Sequence, residues 1–262
     1  MNYSKLFGER IWNPRKWRGG SVIKKRAVLT VILLFGTAAC GQQEIDSTVD
    51  YVALGDSLAA GQTPYSEIDA GYADLIAEEL ESQEQLEKYT KELAVPGYTT
   101  DDILKQLETE NAKETVQTAD LITISAGAND LLRLVRVDPA SGELGFDRSQ
   151  AEEKLDDVRI NMETMLAELR KQAPVADIYV LGYYFPFPHL QDNQKAELED
   201  QLDRLNEILE GVAEQQEAKF VPVDEEFGEN AIDKLPNAAD IHPNREGYEA
   251  MADAFWDRYK SR

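Results

Sequence analysis

Two histidines occur in the 262 residues, and one of them, His242, stands in Asp240-Ile241-His242-Pro243-Asn244. Far upstream lie Gly55-Asp56-Ser57, then Pro96-Gly97, then Gly127-Ala128-Asn129-Asp130. A serine used as a nucleophile needs a base, a group that orients the base, and hydrogen-bond donors for an oxyanion. The chain offers a candidate for each. Metal chemistry has no comparable support, because the histidines are far apart and no His-Glu-x-x-His is present. There is also no Gly-x-x-x-x-Gly-Lys to cradle a phosphate.

These residues need a scaffold, and strand-like and helix-like patterns alternate from residue 49 onward. The strand candidates are 51–54, 89–95, 121–125, 178–182 and 220–223. Three of them are short apolar runs, as expected of parallel strands covered on both faces. Between them run segments with a 3.6-residue period. Leu155, Val158, Met162, Met165, Leu166 and Leu169 share one face, opened by Ser149 with Glu152 three residues on. Leu198, Leu202, Leu205, Leu209 and Val212 share another. These stripes read as core contacts. Thr99 with Asp102 opens a shorter helix, and Asn244 caps a last one carrying Tyr248, Met251 and Phe255. Five strands separated by helices imply a three-layer α/β/α fold around a five-stranded parallel sheet. In such sheets functional sites lie in loops at the strand C-termini, which is where the first three motifs fall. Residues 136–147, with Pro139 and two glycines, read as a surface loop bordering the cleft.

The serine segment lacks the Gly-x-Ser-x-Gly nucleophile elbow. Instead, Gly55-Asp56-Ser57, Gly97, Gly127-x-Asn129-Asp130 and His242-Pro243, in that order, resemble the SGNH or GDSL hydrolase superfamily from about Val49 onward. The resemblance implies a flavodoxin-like architecture and a serine ester hydrolase of the GDSL lipase/acylhydrolase type, with no cofactor. It makes Ser57 the nucleophile and His242 the general base. It assigns the oxyanion to the N–H of Ser57, the N–H of Gly97 and the side-chain amide of Asn129. Elementary chemistry agrees. A serine at the end of a buried strand sits on a rigid support, although one that only caps the next helix would show the same tripeptide. Gly97, after a proline, can take φ > 0 and turn its N–H into the cleft, and Asn129 is a neutral donor. A bare turn at Gly97 and an ordinary loop hydrogen bond from Asn129 are the alternatives.

One position departs from the family pattern, which places an aspartate three residues before the histidine, where this chain has Ala239. Asp240, two before, is the residue expected to orient His242. In an extended segment residues two apart share a face, so Asp240 reaches the imidazole; in a turn, a backbone carbonyl or another carboxylate would orient the ring. Asp56 and Asp130 read as loop anchors that accept from backbone N–H groups. His189 ends the apolar, proline-stiffened loop Tyr183-Tyr184-Phe185-Pro186-Phe187-Pro188, which either lines an acyl or alcohol pocket or packs under the helices.

The first 40 residues read as a leader, residues 41–48 as a tether and 49–262 as the hydrolase domain. The leader holds eight of the 27 Lys and Arg but one of the 50 Asp and Glu, followed by an apolar run over 27–39. That run is shorter than the roughly 20 residues needed to cross a bilayer, which favours export over a permanent span. Thr37-Ala38-Ala39-Cys40 resembles a bacterial lipoprotein signal, which implies lipidation of Cys40, although Thr37 stands where that pattern prefers leucine. Cleavage after Ala39 with secretion, and an uncleaved anchor, are the alternatives. The basic segment is long for a signal, so translation beginning nearer Val22 is a further expectation. Cys40 is the only cysteine, so no intrachain disulfide forms.

Beyond the leader the charge is about −30, which excludes nucleic acid as a partner and repels anionic surfaces. Such acidity suits high salt or alkaline surroundings, or is simply a well-solvated surface. The expected partners are an ester substrate and, through the lipid, a membrane. The expected function is an extracytoplasmic serine esterase cleaving lipid, lysophospholipid or acetyl esters through an acyl-enzyme on Ser57. A short-chain or lysophospholipid ester is preferred, because the anchor sets the enzyme beside a bilayer. A non-catalytic lipoprotein that binds a wall saccharide or lipid in the same cleft is the reading from another class.

Overall fold

Leu121-Ile122-Thr123-Ile124-Ser125 is buried along its whole length. A β-branched, apolar run of this kind fits a strand hydrogen-bonded on both edges and covered on both faces. In the computed structural model, which describes residues 48–137, 144–228 and 231–260, it is the middle strand of a five-stranded sheet. The strands are β1 (Val49–Gly55), β2 (Leu86–Ala94), β3 (Leu121–Ser125), β4 (Asp177–Leu181) and β5 (Lys219–Val221). All neighbours pair in parallel, in the order β2-β1-β3-β4-β5. The expected sheet is therefore present. The leader, Cys40 and nearly all of the tether lie outside the described residues, and the chain from Ile45 to Arg262 forms one unit.

The helices are α1 (Ser57–Ala60), α2 (Tyr72–Ser82), α3 (Thr100–Leu107), α4 (Glu110–Val116), α5 (Ala128–Leu132), α6 (Arg148–Gln172), α7 (Asp192–Gln215), α8 (Val223–Phe227) and α9 (Arg245–Lys260). They pack as two groups, α2 and α8 with α9, and α3, α4 and α7 with α6. These are the two outer layers. The 3.6-period stripes face inward as expected, with Leu155, Val158, Met162, Met165, Leu166 and Leu169 of α6 all buried. Tyr179 of β4 meets Phe255 of α9 edge-on at 4.9 Å between ring centroids, which fixes α9 over the sheet.

Two local expectations need correction. Ser149 does not open α6; Asp147 does, its carboxylate accepting from Gln150 N–H, so the helix starts one residue before Ser149. An aspartate two residues upstream is an equally good cap, and its charge suits the positive helix end. Residues 136–147 are also not wholly loop, because Arg136–Val137 pairs antiparallel with Leu144–Gly145; residues 138–143 lie outside the described residues. The other caps fall where expected. Thr99 and Asp102 form a reciprocal capping box on α3, and Asn244 Oδ1 accepts from Gly247 N–H at the start of α9.

Candidate active site

The first strand must end within touching distance of β3 for its serine to stand at the sheet edge. Gly55 makes that approach possible: its φ is +134°, and a Cβ there would lie 2.2 Å from the Ser125 carbonyl oxygen. Asp56 N–H then donates to that same oxygen at 3.0 Å. The Asp56 carboxylate turns inward and is fully enclosed. It accepts from Leu58 N–H at 3.0 Å, from Ser125 Oγ at 2.8 Å and from the Tyr183 hydroxyl at 2.7 Å. Burial pushes its pKa above the usual carboxylate range, and the three donated hydrogen bonds oppose that rise. Asp56 is thus the N-cap of α1, and Ser57 is its first residue, buried except for the face it turns to the cleft.

The histidine arrives from the other end of the chain. Tyr184, stacked on Phe227 at 4.0 Å, donates its hydroxyl to the Ile241 carbonyl at 2.9 Å and pins the segment before the ring. His242 Nε2 lies 2.8 Å from Ser57 Oγ, and Nδ1 lies 2.6 Å from Asp240 Oδ1. A carboxylate accepts only, so Nδ1 carries the proton and neutral Nε2 faces the serine as an acceptor. Gln62 Nε2 stands 3.5 Å from the same Nδ1. Both atoms are then donors, and the Asp240 bond is the one that orients the ring.

The spacing of two is explained by the turn itself. Asp240 Oδ1 accepts both His242 N–H, at 2.8 Å, and His242 Nδ1–H, so the carboxylate closes an Asx turn and reaches the ring with the same oxygen. Asp240, the residue expected to orient His242, thus meets the ring from a turn and not from an extended segment.

The remaining two loops are tied to the first. Val95 N–H donates to Gly55 O at 2.9 Å, which sets the Pro96-Gly97 turn beside the serine turn, and Gly97 has φ +81° as a glycine there permits. Asn129 Nδ2 donates to Tyr98 O at 2.9 Å, holding its amide toward that turn and leaving a second N–H. Asn129 lines the same cleft as Ser57 and His242. Asp130 anchors its loop, accepting from Thr100 N–H at 3.0 Å and Thr100 Oγ1 at 2.9 Å; burial raises its pKa and those bonds oppose the rise.

Apart from these groups, Gln201 and the two tyrosines, the cleft is lined by apolar side chains. Phe185, Pro186 and Phe187 of the proline-stiffened loop line it, but His189 does not: it is exposed and donates from Nε2 to Leu235 O at 2.7 Å. Ser125, Tyr183 and Tyr184 support the site through bonds to Asp56 and Ile241 that the sequence does not reveal, although it places both tyrosines in the loop beside the cleft. Two tyrosines directly after an apolar strand were the available signal. Among the described residues no group of three or more His, Cys, Asp or Glu is placed to hold a metal ion. The arrangement can take a proton from a serine and return it to a leaving group at the same point.

A model of the GDSL-like Lipase/Acylhydrolase family matches residues 53–250. The spore germination lipase LipC of Bacillus licheniformis is 27% identical over 79% of this chain and 94% of its own length. Among solved structures, the lipase Lip_vut3 from a goat rumen metagenome superposes with a TM-score of 0.67 at 24% identity, covering 80% of this chain and 97% of that one. Axe2, an acetylxylan esterase from Geobacillus stearothermophilus, gives 0.60 at 20% identity, covering 81% and 94%. At such identities the two structures speak for the fold.

Proposed function

The chain belongs to the GDSL-like lipase/acylhydrolase family and is a serine ester hydrolase, and from that premise we propose that it works through an acyl-enzyme on Ser57. The observation that carries this reading is the relay in which His242 Nε2 stands 2.8 Å from Ser57 Oγ while its Nδ1 stands 2.6 Å from Asp240. Ser57 Oγ attacks the ester carbonyl carbon as His242 takes its proton, and the carbonyl electrons move onto oxygen. The N–H groups of Ser57 and Gly97 and the Asn129 amide receive that oxyanion. The intermediate collapses with cleavage of the C–O bond to the alcohol, which leaves with the proton from His242. A water, deprotonated by His242, then attacks the acyl-enzyme and releases the acid, restoring Ser57.

A fluorophosphonate followed by mass spectrometry tests the assignment: one adduct is expected, on Ser57, and Ser57→Ala should lose roughly 10⁶-fold in kcat. An adduct elsewhere, or a fully active alanine variant, would overturn it.

We further propose that the enzyme is exported and held at a membrane by lipid on Cys40, on the strength of the basic and apolar leader ending Thr37-Ala38-Ala39-Cys40. Cys40→Ser is expected to move the protein from the membrane fraction to the medium or periplasm.

A further inference from the structure

Arg133 caps the C-terminal end of α5, four residues after Asn129. Its backbone N–H donates to Asn129 O at 3.3 Å, so the chain is still helical there and the two side chains share a face. That face meets the turn carrying Gly97. Asn129 Nδ2 donates to Tyr98 O at 2.9 Å, and Arg133 Nη2 donates to Gly97 O at 2.8 Å. Two consecutive carbonyls of the turn are each gripped by one side chain of the same short helix.

The glycine makes such a grip necessary. Gly97 has φ +81°, and nothing stands within 4 Å of the place a Cβ would occupy. Packing therefore does not hold this peptide, and a glycine turns over at little steric cost. Hydrogen bonds must fix the direction of its N–H.

The arginine is itself held in place. Nη2 has two hydrogens, and the one not used on Gly97 O reaches Asp102 Oδ2 at 3.3 Å. Asp102 belongs to the capping box of α3, where it accepts from Thr99 N–H at 3.1 Å and Thr99 Oγ1 at 2.8 Å. The Arg133 side chain is nonetheless 60% exposed, and an ion pair of that kind adds little to stability.

Resting on the reading of Gly97 and Asn129 as oxyanion donors, we infer that Arg133 is a positioning residue of the oxyanion site. It steadies the Gly97 turn so that the glycine N–H points to the developing negative charge, and it sets a cation one peptide beyond that N–H. Losing an oxyanion donor outright costs about 10²- to 10³-fold in kcat, so loosening one should cost less, about tenfold.

The test uses the full-length protein with p-nitrophenyl butyrate as the ester. Arg133→Gln should lower kcat about tenfold while KM stays within about twofold. Its melting temperature should move by less than about 2 °C, because an exposed ion pair is all the fold loses. Phenylboronic acid, which adds to Ser57 Oγ and puts a boron-bound oxygen where the oxyanion forms, should bind more weakly by the same factor as kcat. Arg133→Lys keeps a cation and a donor and should recover part of the loss. Arg159→Gln removes the same charge from α6, where the partners are Asp156 and Glu163, and should leave kcat unchanged.

Full kcat in Arg133→Gln, an equal loss in Arg159→Gln, or boronate binding that does not follow kcat overturns the inference. A loss confined to KM overturns it as well, since the arginine would then be reading the ground-state substrate. In each of these cases Ser57 labelled by fluorophosphonate leaves the acyl-enzyme standing. Wild-type Ser57 left unlabelled, or full kcat in Asn129→Ala, would instead take down the reading of the site on which this rests.

Discussion

Asp240 shows how one atom can set both a turn and a base. Its Oδ1 accepts the backbone N–H and the ring Nδ1–H of His242, so an asparagine could keep both bonds with its own oxygen and lose only the negative charge. Asp240→Asn should therefore cost kcat about 10- to 100-fold, the value of a charge-assisted bond, whereas Asp240→Ala, which also frees the ring, should cost roughly 10³- to 10⁴-fold. An alanine variant as active as the asparagine variant would refute this ordering. Asp56 carries a different task. Its raised pKa means the folded protein holds that proton more tightly than the unfolded chain. Its contribution to stability is thus present below the unfolded value near about 3.9 and is lost as pH rises through the folded value. Asparagine mimics the protonated form but cannot satisfy all three donors, so Asp56→Asn should lower stability by about 1–3 kcal/mol at acid pH, with a smaller penalty toward pH 8. Urea unfolding across that range checks it; a penalty that grows with pH contradicts the burial argument. Activity in this variant should keep its pH profile, because the general base is His242.

At the scale of elements, the loops after β1, β2 and β3 are bonded to one another before any substrate arrives. Asp56 N–H reaches Ser125 O, Val95 N–H reaches Gly55 O, and Asn129 Nδ2 reaches Tyr98 O. Asp130 extends this lashing to the start of α3, and Asn161 of α6 donates to the same Thr100 hydroxyl at 2.9 Å. Asp130→Ala would leave the buried Thr100 N–H without its acceptor. It should lower stability by about 1–3 kcal/mol and, by loosening the start of α3 and the loop that carries Asn129, also lower kcat. Denaturation midpoints with parallel ester assays distinguish this from a role in stability alone: a variant destabilised but fully active means the lashing does not position the amide. Helix starts were the least legible elements. Asp147 and Ser149 both satisfy the capping pattern, and only the packed position of α6 selects between them.

For the whole molecule, the charge of about −30 beyond the first 40 residues goes with ion pairs that, among the described residues, are mostly between exposed groups, several within a single helix turn. Such pairs add little, so repulsion among the excess carboxylates dominates and salt should relieve it. The melting temperature is expected to rise by several degrees between low salt and about 0.5 M sodium chloride, where the Debye length is well below 10 Å. Indifference to salt would favour a surface that is merely well solvated. By itself the sequence determined the α/β class, the five strands and the order of the motifs, because strand and helix periodicity and glycine punctuation are local properties of a chain. It also named Ser57, Gly97, Asn129, Asp240 and His242 as candidates. Only the tertiary structure decided that Asp240 meets the ring from two residues away, that Tyr183 and Ser125 hold Asp56, and that Arg133 grips the Gly97 turn. The bond from Tyr183 to Asp56 joins residues 127 positions apart, and even the short Asp240 turn faces its ring to a serine 185 positions away, so these arrangements depend on how the layers pack, which no local pattern encodes.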